Sequence, residues 1–153
     1  MTSVLALDLA THTGFACRDE NGSIDSGVWL LDFGKGRPWT CRQLNLWARL
    51  ELLSWVSVTV VEKPIVYPGR ESGARVAYGL AAVVEMWAEA CGIEYREIAA
   101  ATVKRHATGR GNCDKAAMVA AARVKWPEIR IADDNHADAL WLMDVDRPSP
   151  RSV

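Results

Sequence analysis

The sequence predicts an α/β fold, a five-stranded mixed β-sheet flanked by helices. Three short apolar segments near the N-terminus are separated by turn signals, which is typical of antiparallel strands. Beyond them, segments of helical periodicity alternate with short β-branched segments, and this alternation is typical of crossovers between parallel strands. The length of 153 residues fits one domain, and a composition of 50% hydrophobic and 24% charged residues excludes a disordered chain.

The first half of the sheet is predicted from residues 3–9, 13–18 and 24–31. The first segment, SVLALDL, is an apolar run that contains one carboxylate, Asp8. Asn21-Gly22, between the second and third segments, is a strong hairpin signal. We therefore expect three strands that pair antiparallel in chain order.

The segments that follow alternate between helix and strand. Residues 39–55 place leucine and tryptophan near helical spacing and predict an amphipathic helix. Residues 56–61, VSVTVV, are nearly all β-branched and predict a buried central strand, which Pro64 ends. Residues 66–75 are expected to form a loop or an irregular helix start.

The second half continues this alternation. Residues 76–90 predict a long helix that Gly92 closes, and residues 93–98 predict the fifth strand. The apolar residues of this helix occupy more than one face, which fits either a helix between its own sheet and a second copy of the chain or a wholly intramolecular core.

The C-terminal third is predicted to be helical. Residues 102–107 predict a short helix, a glycine-rich loop follows at residues 108–112, and an alanine-rich helix spans residues 114–125. A last helix is expected over residues 135–143, because acids that suit an N-cap precede it. The domain then covers residues 1–144, and residues 145–153 form a flexible tail.

Composition narrows the class of protein further. The net charge is −1, no apolar run approaches the ~20 residues of a membrane span, and the first residues lack the basic start of a secretory signal. We therefore expect a cytoplasmic protein with reduced, scattered cysteines. Residues 104–125 carry six basic residues and one acid, which indicates either a face that binds a polyanion or an ordinary solvated helix face.

Asp8, Glu62 and Asp138 each lie within or beside an apolar run, where a carboxylate needs a cation, a hydrogen-bond donor or a metal ion. Asp134 precedes Asp138 by four residues and shares its helical face. Carboxylates without matching His or Cys favour Mg²⁺ or Mn²⁺, and two such ions activate water for attack on a phosphodiester. Taken singly, each acid has another explanation: Asp8 as the cap of the following turn, Glu62 in an ion pair, and Asp134 as an N-cap.

Four stretches that span nearly the whole chain resemble the RuvC-type Holliday junction resolvases, within the ribonuclease H-like superfamily, and in particular the short phage-encoded members. The most specific stretch is residues 102–115, which contains VK, then GxGxxxK before a helix. The other three are residues 5–10 with Thr13-Gly14, residues 60–64 and residues 133–140. The resemblance implies a ribonuclease H-like sheet and a homodimeric, Mg²⁺-dependent endonuclease that nicks two opposed strands of a four-way DNA junction in the host cytoplasm.

The resemblance also assigns roles to residues. Asp8, Glu62 and Asp138 match the metal-binding acids of the family, which implies two Mg²⁺ ions per site with Mn²⁺ as a substitute. The position of the fourth acid holds Asn135, so either Asp134 or the Asn135 carbonyl completes the set. Lys104 and Lys115 match basic residues near the scissile phosphate. His136 is expected at the surface or facing a phosphate.

The predicted DNA contacts lie in two loops. Backbone N–H groups of the glycine-rich loop suit a phosphate, and the alternative is an ordinary helix connection. Tyr67, after the strand that ends near Glu62, suits stacking on a base, with Arg70 and Arg75 on phosphates; the alternative is a solvent-facing loop. The predicted DNA-binding set is completed by Lys104, Arg105, Thr108, Gly109, Arg110, Gly111, Asn112 and Lys115.

Three other functions remain compatible with the sequence. The same acids would serve a flap, branched-DNA or RNA–DNA hybrid nuclease. A module that binds branched DNA without cutting it is compatible with the missing acid at Asn135. Residues 8–14 superficially resemble a sugar-kinase nucleotide loop, but that class needs two such domains.

Overall fold

The computed structural model describes residues 1–32 and 34–146. Its sheet has five strands in the order β3-β2-β1-β4-β5, so the predicted mixed α/β sheet is confirmed. The strands are β1 (Val4–Asp8), β2 (His12–Arg18), β3 (Ile24–Leu30), β4 (Val58–Glu62) and β5 (Glu94–Ile98).

The pairing of β1 brings two of the predicted acids to one edge. β1 pairs antiparallel with β2, where Asp8 lies opposite Gly14, and parallel with β4, where Leu7 lies opposite Val61. Parallel strands end at the same edge of a sheet, so Asp8 and Glu62, the last residues of β1 and β4, are neighbours there. β2–β3 is antiparallel and β4–β5 is parallel, as expected.

Helices cover both faces of this sheet. Leu5, Leu7 and Val61 share a buried cluster with α1 and α2, whereas Ala6 and Val60 point to the other face and pack with α3, α4 and α5. This division follows from the alternation of side chains along a strand. The helices are α1 (Thr40–Glu51), α2 (Glu71–Cys91), α3 (Ala100–Thr108), α4 (Lys115–Lys125) and α5 (Asp134–Val145).

Two helix bounds differ by four or more residues from those predicted. α1 ends at Glu51 rather than at residue 55, and a turn follows in which the Leu53 N–H donates to the Leu50 carbonyl. α2 begins at Glu71, five residues before the predicted start. Its first turn lacks apolar periodicity, but Glu71 interacts favourably with the positive end of the helix dipole.

The last helix extends two residues beyond its predicted end. α5 continues to Val145, and Asp144 is buried, with its carboxylate bonded to His106 Nε2 at 2.7 Å and Lys125 Nζ at 2.5 Å. Asp146 accepts a hydrogen bond from Arg96 at 2.8 Å. The predicted tail therefore does not begin at residue 145, and its remainder, residues 147–153, lies outside the described residues.

Candidate active site

The ends of β1 and β4 and the first turns of α5 form one acidic site. Asp8 and Glu62 line a cavity of about 170 Å³ together with Tyr67 of the loop that follows β4. Asp138 on α5 is close enough to Asp8 to raise the pKa of its carboxyl, as Glu62 also does. The structure thus brings together the three acids that the sequence predicts.

A glycine places α5 against this edge of the sheet. A Cβ at Gly14 would lie 1.9 Å from the backbone carbonyl oxygen of Asn135, so only glycine permits the approach. Gly14 pairs with Asp8 across the β1–β2 ladder. The contact therefore holds the start of α5, with Asp134 and Asp138, beside the end of β1. In the sequence, Thr13-Gly14 stands out only as part of a motif, and no local pattern indicates this role of the glycine.

The environment makes all three acids hard to ionise. Burial raises the pKa of Asp8 well above its usual value, and the negative charges of Asp138 and Glu62 raise it further. Burial likewise raises the pKa of Glu62. Burial, followed by Glu62 and Asp134, raises the pKa of Asp138 to about 7. Such a cluster is stabilised by a bound cation, and perturbed carboxylates of this kind are common at active sites.

Two lysines border the cluster. Lys115, at the start of α4, donates to Asp134 Oδ2 at 2.5 Å, which lowers the pKa of Asp134 and raises that of Lys115. Lys104 on α3 lies near enough to Glu62 to oppose the rise in the pKa of that carboxyl. Both predicted lysines therefore stand beside the acids, on helices that flank the glycine-rich loop.

Other residues take the local capping roles that were open to the acids. The turn after β1 is closed by Thr13, whose hydroxyl donates to the Ala10 carbonyl at 2.6 Å. The N-cap of α5 is Asp133, whose carboxylate accepts the His136 N–H at 2.9 Å. Glu62 forms no ion pair with any residue of the described part of the chain. Capping thus does not account for Asp8 or Asp134, and an ion pair does not account for Glu62.

His136 is not at the surface, contrary to the prediction. The side chain is buried, Nδ1 accepts the Ala132 N–H at 3.1 Å, and Nε2 is 2.9 Å from the Ser26 hydroxyl. Burial also lowers the pKa of His136. The residue joins α5 to β3 and does not face a phosphate.

The acids fit a hard divalent cation by donor type rather than by present spacing. Carboxylate oxygens are the ligands that Mg²⁺ and Mn²⁺ prefer. Among residues 1–32 and 34–146, no three His, Cys, Asp or Glu side chains are placed closely enough to hold a metal ion as they stand. Binding would therefore require the carboxylates to turn toward one another, which their mutual repulsion opposes until a cation is present.

The glycine-rich loop joins α3 to α4 beside Lys115. Gly109 closes α3 with a φ of +80°, a backbone conformation that favours glycine. The Gly109 N–H donates to the Arg105 carbonyl at 2.8 Å, and the Arg110 N–H donates to the Thr108 hydroxyl oxygen at 3.3 Å. Two N–H groups of the predicted phosphate cradle therefore already have partners. Arg105 and Asn112 are exposed, and Gly111 packs near the Ala101 carbonyl.

The loop after β4 presents apolar and basic side chains to solvent. Tyr67 is 57% exposed while it lines the cavity that holds Asp8 and Glu62. Ile65 is 48% exposed, and Arg70 and Arg75 are exposed at the start of α2. The loop is therefore placed to contact a large ligand that enters the acidic cavity.

Comparison with known proteins identifies the fold. The structure is similar to that of Thermus thermophilus RuvC in complex with Holliday junction substrate, with a TM-score of 0.78 and 20% sequence identity over 95% of this chain and 92% of that one. A second Thermus thermophilus RuvC structure matches with a TM-score of 0.74 and 20% identity over 94% and 92%. The yeast mitochondrial Holliday junction resolvase Ydc2 matches with a TM-score of 0.61 and 14% identity over 94% and 77%.

The chain therefore has the RuvC-like, ribonuclease H-like fold that the sequence resemblance predicts. No protein-family model matches the sequence, and no curated protein matches it significantly. No helix in the described ranges is long and apolar enough to cross a membrane.

Proposed function

We propose that this protein is a structure-selective endodeoxyribonuclease that resolves four-way DNA junctions by paired symmetric nicks. The observation that carries the proposal is the convergence of Asp8, Glu62 and Asp138 from β1, β4 and α5, on a fold whose solved examples include a resolvase bound to its junction. The resemblance further favours a phage protein that acts in the cytoplasm of its host.

The metal site of this enzyme would use the acids described above. Asp8, Glu62 and Asp138 would hold Mg²⁺, or Mn²⁺ in its place, with two ions per site. Bound Mg²⁺ supplies a Lewis acid that lowers the pKa of water and offsets charge on a phosphate. The fourth ligand is Asp134 or Asn135, and Asp134 would first have to leave Lys115, to which it is bonded.

The lysines and the two loops would position the DNA strand. Lys104 and Lys115 lie beside the acids, where their charges would stabilise the phosphate as negative charge develops on the leaving oxygen. The loop at residues 108–112 would contact the backbone near the scissile phosphate, and the exposed Tyr67 would stack on an unpaired base near the branch. Arg70 and Arg75 would bind neighbouring phosphates.

A homodimer would supply the two active sites that paired nicks require. α2 buries Leu80, Val84 and Trp87 against the sheet, whereas Met86 is 64% exposed. Exposed apolar side chains on a helix that is already packed on its other side favour contact with a second copy.

Asn135 favours a second candidate, a module that binds branched DNA without cutting it. This residue stands at the fourth acid position, and its backbone carbonyl, rather than its side chain, makes the contact with Gly14. The same experiment separates the two candidates.

The test substitutes one ligand and measures binding and cutting separately. We expect Asp8→Asn to reduce cleavage of a labelled four-way junction in Mg²⁺ by at least about 100-fold, since a group at the reacting centre typically contributes this much. Binding of the junction, measured by anisotropy in EDTA, should remain.

The matched control is Asp25→Asn, an exposed aspartate on β3. This substitution should leave both the cleavage and the binding of the junction unchanged. Full cleavage by Asp8→Asn would remove Asp8 from the mechanism. Tight binding by a wild-type protein that cuts in neither metal would favour the binding module.

A further inference from the structure

A second cleft lies between the first turn of α1 and the second and third turns of α2, outside the acidic cavity. It has a volume of about 400 Å³ and is lined by Trp39, Arg42, Arg75 and Tyr78, which we call the tryptophan cleft. Trp39 is 41% exposed, and the Cζ atoms of Arg42 and Arg75 each lie 5.4 Å from its ring centroid. One indole ring therefore holds a guanidinium group from each helix at the same opening.

The charges of the tryptophan cleft favour an anionic ligand. Two guanidinium groups close to one ring repel each other, and a negative charge bound between them offsets this repulsion. Asp32 is 3.6 Å from Arg42, but Arg75 forms no ion pair within residues 1–32 and 34–146. In that same part of the chain, the buried Nε of Arg42 has no hydrogen-bond partner.

The sequence around α1 extends this positive surface. Residues 33–50 contain four basic residues and no acid: Lys35, Arg37, Arg42 and Arg49. Lys35 and Arg37 are exposed in the loop before Trp39. Residues 33–50 lie outside the four motifs that carry the family resemblance. Their lack of acids is the sequence signal that could have indicated the tryptophan cleft.

The start of α2 connects the tryptophan cleft to the acidic cavity. Ala77 lines the cavity that holds Asp8 and Glu62, whereas the next residue, Tyr78, lines the tryptophan cleft. The Tyr78 hydroxyl donates to the Pro64 carbonyl at 3.3 Å, so it also contacts the loop that follows β4. A strand that leaves the acids along this loop would thus reach the tryptophan cleft next.

We infer that the tryptophan cleft binds the phosphodiester backbone of junction DNA beyond the scissile phosphate, a contact that rests on the proposed function. Arg42 and Arg75 would donate to phosphate oxygens through their planar groups, a geometry that suits phosphate. Trp39 would fix the orientation of both guanidinium groups, and Arg42 would exchange its ion pair with Asp32 for one with the phosphate. The cleft then determines affinity for the branched substrate, while the acids and lysines determine cutting.

The test removes both cleft charges with Arg42→Gln/Arg75→Gln. Binding of a labelled four-way junction is measured by anisotropy in EDTA over a series of salt concentrations. We expect roughly tenfold weaker binding, and a slope of log K against log salt that is smaller by about two, because two phosphate contacts are lost. At protein concentrations below the wild-type Kd, cutting of the junction should fall by about the same factor as binding.

The control removes two exposed charges elsewhere, with Arg123→Gln/Arg130→Gln, and should change the slope much less. Sedimentation and thermal melting of each variant monitor assembly and folding. An Arg42→Gln/Arg75→Gln variant that is folded and binds the junction with wild-type affinity and salt slope would overturn the inference. The proposed function would still stand in that case, provided that the wild-type protein cuts the junction. Loss of a wild-type dimer in this variant alone would make the cleft an interface between copies and would also overturn it. A wild-type protein that neither binds nor cuts the junction would overturn the proposed function itself.

Discussion

At the scale of single residues, Asp138 shows how position changes the chemistry of a carboxylate. It lies between two buried alanines on α5, faces Glu62 and Asp134, and has a pKa of about 7 instead of 3.8. Near neutral pH it therefore exchanges a proton readily in the absence of a cation. Asp134, four residues earlier, has a lowered pKa because Lys115 donates to it.

This difference predicts the pH dependence of stability without metal. Between about pH 4 and pH 7 the native state holds a proton on Asp138 that the unfolded chain has released, so the free energy of unfolding falls as pH rises through this range. Asp138→Asn should remove the contribution of this residue to the change in the free energy of unfolding with pH. The measurement is the melting temperature in EDTA at several pH values, and we expect the melting temperatures to differ by several degrees at pH 7.

The effect of Mg²⁺ on the melting temperature should have the opposite dependence on pH, and this serves as the control. Mg²⁺ should raise the melting temperature of wild type more at pH 8 than at pH 5, because the carboxylates bind the ion only after losing their protons. Equal slopes for wild type and Asp138→Asn would contradict the assigned environment of Asp138.

At the scale of elements, the site depends on how closely α5 approaches β2. Gly14→Ala would place a Cβ against the Asn135 carbonyl, and backbone cannot yield as a flexible side chain can. We expect a loss of about 1–3 kcal/mol or more in the free energy of unfolding, together with loss of cutting, because Asp134 and Asp138 move with α5. Thermal melting and junction cleavage measure the two effects.

Gly73→Ala is the matched control. Gly73 lies in α2, and an added Cβ would meet nothing within 4 Å. Helix propensity then predicts a stability that is unchanged or higher by up to about 1 kcal/mol. If Gly14→Ala were as stable and active as Gly73→Ala, the close contact between β2 and α5 would not be required.

The sequence predicts the elements where hydrophobic patterning is strong. β1 and β4 are short apolar runs, so their places and their terminal acids could be predicted before the structure. The start of α2 could not be predicted in this way, because Glu71 to Arg75 carry no apolar periodicity. His136 was placed wrongly because its burial depends on Ser26, more than a hundred residues away in sequence.

The candidate site was predicted in its residue types but not in its geometry. Local patterning indicates that Asp8, Glu62 and Asp138 are unusual, and the topology that brings them together follows from the order of elements. The pairing of Lys115 with Asp134 and the contact of Gly14 with Asn135 are tertiary contacts that no local pattern reports.

At the scale of the whole molecule, the proposed dimer depends on the outer face of α2. Met86→Glu would put a charge on this exposed face, so we expect a weaker dimer and single nicks in place of paired ones. Val124→Glu, on α4, is the control, because Val124 is also exposed, at 83%, and lies on another helix. Analytical ultracentrifugation gives the assembly state, and a supercoiled cruciform substrate distinguishes single from paired nicks.

Two results would contradict the proposed dimer. A wild-type protein that sediments as a monomer on the junction, or a Met86→Glu variant that assembles and nicks as wild type does, would exclude α2 as the interface.

The central claim, that the acids cut four-way DNA junctions, is tested most directly by cleavage of a labelled synthetic junction in Mg²⁺, Mn²⁺ or EDTA beside duplex, flap and RNA–DNA hybrid controls. We predict paired, symmetric nicks on the junction in either metal, none in EDTA, and little cutting of the controls. Equal cutting of flaps or hybrids, or no cutting of the junction in either metal, would contradict the claim.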